Sequence, residues 1–101
     1  MIVIGVDAHK RTHTLVALDA VMGVGRGQIT IQASDAGALD ALRFAVALDP
    51  DRVWAVEDCR HVSGRLERGL VASGDRVIRV APGLKAATTR ASRRAGFRAR
   101  C

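Results

Sequence analysis

Apolar and polar positions alternate along the chain in periods that define a succession of elements. Ile2-Val3-Ile4-Gly5-Val6 is a continuous apolar run rich in β-branched residues, the signature of a strand buried on both faces, and it ends at Asp7. Thr12 to Leu18 is a second β-rich stretch. Its alternation puts Thr14, Val16 and Leu18 on one face and His13, Leu15 and Ala17 on the other. The three glycines between Asp19 and Gly27 mark a turn. Ile29 and Ile31 then carry a third strand over 28–32, and the short connections predict an antiparallel meander.

From Ser34 the period changes. Ser34 is a natural helix cap, and Leu39, Leu42 and Val46 recur at helical spacing with Ala38, Ala41 and Ala45 close by. Pro50 follows, as expected just past a helix end. Val53-Trp54-Ala55-Val56 reads as a fourth strand, with Trp54 in the core, and it ends at Glu57. Val62, Leu66 and Leu70 mark a second helix closed by Gly74. Residues 76–80 form a fifth strand that Pro82 ends, and 86–95 is a polar, weakly patterned third helix. The order β-β-β-α-β-α-β predicts an α/β fold with a mixed five-stranded sheet and flanking helices.

The chain has 101 residues, enough for one domain with a modest core, and aromatics are only 3%, so aliphatic side chains must fill it. Charge divides the chain. Residues 76–101 hold eight basic side chains and no acid, whereas the first 75 sum to −2. The net charge of +6 is therefore a C-terminal property. A basic tail on a near-neutral body suits a nucleic-acid backbone, and a solvated tail without a ligand is the plain alternative. Cys59 and Cys101 form neither a disulfide framework nor a CxxC pair, which fits a reducing cytosol. The apolar start is too short for a signal segment and no run approaches a membrane span, so a cytoplasmic chain is expected.

Asp7 and Glu57 are the informative pair. Each follows an apolar run that should be a central strand, and neighbouring strands would bring the two carboxylates to one mouth of the sheet, where ligands bind in α/β folds. Converging carboxylates repel unless a cation joins them, and Mg²⁺ takes such hard oxygen ligands. An acid at a strand end also commonly caps a turn. Asp58 would point away from Glu57, as a residue leading into the helix. His9, His13 and His61 lack metal-ligand spacing with the cysteines and read as surface or near-site polar residues. Lys10 and Arg11 fit a solvated turn, within reach of a phosphate.

Ile4-Gly5-Val6-Asp7-Ala8-His9-Lys10 with the β stretch to Asp19, then Val53 to His61, then Gly74 to Pro82, resemble in order and spacing the DEDD-type transposases of the insertion sequence 110 family. The resemblance covers about residues 1 to 82. It implies an RNase H-like (RuvC-like) fold and DNA transposition by Mg²⁺-dependent phosphodiester chemistry. Asp7 matches the first acidic metal ligand and Glu57 the second. The resemblance places the third and fourth, a pair of aspartates, on the helix after the fifth strand, but Arg93 to Cys101 holds no acid. The family's C-terminal domain and its serine are not found either. Residues 1–82 are thus expected to be an incomplete transposase N-terminal domain, and 83–101 a basic, disordered or frame-altered tail. Mg²⁺ should bind weakly or not at all, and the chain alone should not cut DNA. The resemblance further implies DNA, a structured guide RNA and a homo-oligomer as partners, with Lys10, Arg11, Lys85, Arg90, Arg93 and Arg94 the candidate nucleic-acid contacts.

Two other readings compete. One is a non-catalytic basic module that binds nucleic acid through its tail. The other is a nucleotide-binding domain of the sugar-kinase and actin kind, which shares the strand order. Such domains need small residues after the first strand to cradle phosphate, and Ala8-His9-Lys10 is bulky there.

Overall fold

The computed structural model describes residues 1–57 and 60–80. The chain runs β1 (Ile2–Ala8), β2 (Thr12–Asp19), β3 (Gly25–Gln32), α1 (Asp35–Leu48), β4 (Arg52–Glu57), α2 (Arg60–Ala72) and β5 (Arg76–Val80). This is the order expected from the pattern. The expected helix over 86–95, together with Asp58, Cys59, the side chain of His61 and the basic residues Lys85, Arg90, Arg93 and Arg94, lies outside the described residues. Among the described residues no helix is long and apolar enough to cross a membrane.

The five strands form one mixed sheet in the order β3-β2-β1-β4-β5. β1, β2 and β3 pair antiparallel, as a meander must, while β4 joins β1 and β5 joins β4 in parallel. The two parallel joins are the ones bridged by helices, the usual solution for a crossover connection. Even-numbered residues of β1 and β4 face the helices, so Ile2, Ile4, Val6, Trp54 and Val56 meet Leu15, Ala17, Ile31, Leu66 and Leu70 in the core. Val16, Leu18, Val53 and Ala55, on the other face, are buried too. The continuous apolar runs of β1 and β4 are accordingly buried on both sides. β3 is longer than its apolar pattern, starting at Gly25 rather than Gln28, because its first half is an exposed ribbon carried by pairing with β2.

α1 corrects one expectation. Leu39 and Val46 are 55% and 60% exposed, and the residues that face inward are Gly37, Ala38, Ala41 and Ala45, with Leu42, Phe44 and Leu48 packed at the margins. The reason is close approach. Ser34 caps the helix by accepting from the Gly37 backbone N–H at 3.1 Å, and this folds the first turn back on β3. A Cβ on Gly37 would sit 1.8 Å from the Gln32 carbonyl oxygen, and one on Gly69 of α2 would lie 3.3 Å from the Ala38 methyl. Only a stripe of small residues fits so near both the sheet and α2.

The end of the sheet remote from Glu57 is fastened by a polar cluster. Arg52 donates to Asp75 from Nε at 2.7 Å and from a terminal nitrogen at 3.0 Å, and the Trp54 indole N–H donates to the same carboxylate at 2.8 Å. Burial pulls the Asp75 carboxyl up, but the bonds from Arg52 and Trp54 outweigh it and hold the group below the usual carboxylate range. The pair is well buried, at 14% and 7% side-chain exposure. Asp75→Ala would strand the Arg52 charge and leave the indole N–H unmade, so it should cost about 3–5 kcal/mol in urea unfolding. The inward stripe of α1 is equally testable: Ala45→Leu should cost roughly 1–3 kcal/mol by overpacking, whereas Val46→Gln should change stability by less than about 0.5 kcal/mol.

Candidate metal site

The last register pair between β1 and β4 is Val6↔Val56, so Asp7 and Glu57 are the next residues on adjacent parallel strands. Strands so paired lie about 4.8 Å apart and side chains at one level share a face. Asp7 in turn pairs with Thr14, Thr14 with Thr30, and Glu57 with Val80. One transverse row therefore reads Thr30, Thr14, Asp7, Glu57, Val80, on the face away from α1 and α2. The strands that carry the two acids are neighbours, and Asp7 and Glu57 stand level at the carboxyl ends of these two central strands. Asp7 is 4% exposed, and Glu57 Oε2 is buried. The two threonine hydroxyls of the row are 3.3 Å apart.

The β1–β2 turn closes over this end. His9 Nε2 lies 3.1 Å from Asp7 Oδ2. The His9 backbone N–H donates both to the Thr12 carbonyl at 3.0 Å and to His13 Nδ1 at 3.3 Å. Of the two expectations for His13, surface or near-site, the structure excludes the first: it is 1% exposed in β2 and close enough to the turn to accept from the His9 backbone. Its alternation with Leu15 and Ala17 carried that signal, and its polarity obscured it. Burial, then the neighbouring His9, pushes its pKa below the ordinary histidine value. The neutral ring accepts at Nδ1, so its own proton sits on Nε2. Lys10 and Arg11 are exposed at the tip of the same turn, and the Arg11 carbonyl accepts from Ala33 N–H at 2.8 Å, tying the turn to the start of α1.

Asp7 and Glu57 are level on adjacent strands; no cluster of three or more His, Cys, Asp or Glu suited to a metal occurs among the described residues. The two carboxylates alone are hard oxygen donors of the kind a divalent cation with retained waters accepts. Elsewhere, Glu67 is a buried acid that the sequence reading passed over. It accepts from Arg79 Nε at 2.9 Å and from Ser63 at 3.2 Å, locking α2 to β5. A groove of about 650 Å³ lined by Glu67, Arg68, Val71, Val77 and Arg79 runs beside it, on the opposite face from Asp7 and Glu57. Comparison with known protein families and with curated proteins returns no match for this chain.

The depressed His13 pKa has a definite sign. The unfolded ring takes up a proton near pH 6.5 and the buried ring resists it, so stability is complete above that value and falls as pH drops through it towards the lower native pKa. The unfolding midpoint in urea should decline between about pH 7 and pH 5, and His13→Leu should flatten that slope. The aspartates held low by hydrogen bonds, Asp19, Asp49 and Asp75, lose their contribution only in the more acidic range below about pH 4.

Proposed function

We propose that the chain is the RNase H-like (RuvC-like) part of a DNA transposase, and that Asp7 and Glu57 hold a divalent cation, Mg²⁺ in the cell. The observation that carries this reading is the in-register placement of the two acids on adjacent parallel strands, at the mouth of a sheet ordered β3-β2-β1-β4-β5. Three antiparallel strands followed by two parallel ones is the arrangement the family resemblance implies. The exposed Lys10 and Arg11, on the turn that follows Asp7, suit the phosphates of a nucleic-acid strand passing over the site.

When bound, the cation would polarise a phosphodiester and lower the pKa of its water. The part of this chain is to supply two fixed carboxylate donors and to bring cationic side chains alongside them. Asp7 and Glu57 match two of the four acids of the resembled family, and residues 76–101 add no acid to them. Two carboxylates alone hold a divalent cation weakly. A guide RNA and self-association belong to the same proposal as partners.

Calorimetric titration with Mn²⁺ and Mg²⁺ tests the site. The chain should bind weakly, and an Asp7→Ala, Glu57→Ala double variant of unchanged circular dichroism should not bind at all. Equal binding by the two proteins would remove the shared site. DNA binding that persists in the double variant without any metal dependence would favour the basic-module reading instead.

A further inference from the structure

We infer that His9 is a positioning residue for Asp7, an inference that rests on the metal-site reading above. His9 lies two residues beyond Asp7, where β1 has ended and the chain turns back, and its ring folds over the carboxylate with Nε2 3.1 Å from Oδ2. A carboxylate can only accept, so Nε2 carries the proton and donates. The imidazole is 43% exposed and the Asp7 side chain 5%, which puts the ring on the solvent side of a buried acid.

The ring is aimed by its own backbone. His9 N–H is shared between the Thr12 carbonyl and the Nδ1 of buried His13, so the turn is tied to the first two residues of β2. The order of dependence runs from His13 in the core, through the turn, to His9, and from His9 to the plane of the Asp7 carboxyl group. His9 acts on the carboxylate and not as a ligand itself. Its nitrogen points at Oδ2, and His9, Asp7 and Glu57 do not form a three-group metal cluster. Carboxylates that bind metals are commonly held by such outer partners, and losing one typically lowers affinity about 10–100-fold.

The test is calorimetric Mn²⁺ titration of the full chain, its His9→Ala variant and its His9→Gln variant, with metal-free thermal melting alongside. His9→Gln keeps an N–H donor near the Nε2 position. His9→Ala should bind Mn²⁺ about 10–100-fold more weakly, while His9→Gln recovers most of the affinity. The metal-free melting temperatures should agree within about 3 °C, as for a half-exposed side chain. Unchanged or tighter binding by His9→Ala, or a loss that His9→Gln does not recover, overturns the positioning role. If the parent chain binds through Asp7 and Glu57 while His9→Ala binds equally, only the role of His9 falls. If the parent chain does not bind Mn²⁺, the metal-site reading falls with it.

Discussion

Trp54 and Glu57 stand three residues apart on one strand, so they emerge on opposite faces of the sheet. The indole is fully buried against the helices and its N–H is bonded to Asp75. Burying a side chain of that size is worth roughly 4–6 kcal/mol by area before entropy is counted. A slip of one residue in β4 would expel the indole and turn Glu57 onto the helix side. The same parity holds in β1, where Ile2, Ile4 and Val6 face the helices and Asp7 faces away. The face on which the two acids meet is therefore decided by apolar residues that never touch them.

Register along the strands adds the second coordinate. β1 and β4 are parallel and level from Ile2↔Arg52 to Val6↔Val56, which brings both acids to the same height. The β1–β2 turn then returns over that edge, placing His9 on Asp7 and leaving Lys10 and Arg11 outside. A polar residue buried in β2, His13, supplies an acceptor that helps hold the turn. Its uncharged state is part of the architecture, since a protonated Nδ1 could not accept.

The element order and the mixed sheet were legible because runs such as Ile2–Val6 and Val53–Val56 differ in period from the helical stretches. The juxtaposition of Asp7 and Glu57 was legible for the same reason: each acid directly follows one of those runs. Two things were hidden. α1 carries two apolar stripes, and periodicity alone does not say whether leucine or alanine faces inward; the close approach of Gln32 and Gly69, set by tertiary packing, decides for alanine. The histidines were hidden by type. Their spacing with the cysteines said nothing about His9 reaching Asp7, which follows from the path of a turn, whereas the burial of His13 was written in its alternation with Leu15 and Ala17.

β4 has its fastening and its chemistry at opposite ends. Arg52 and Trp54 clasp Asp75 at one end, and Glu57 stands at the other, roughly 10 Å beyond Trp54 along the strand. Substitutions around the acidic mouth can therefore accumulate without loosening the clasp. Such a sheet is evolvable at one rim and conservative at the other, so the residues of that rim can be exchanged while the fold persists.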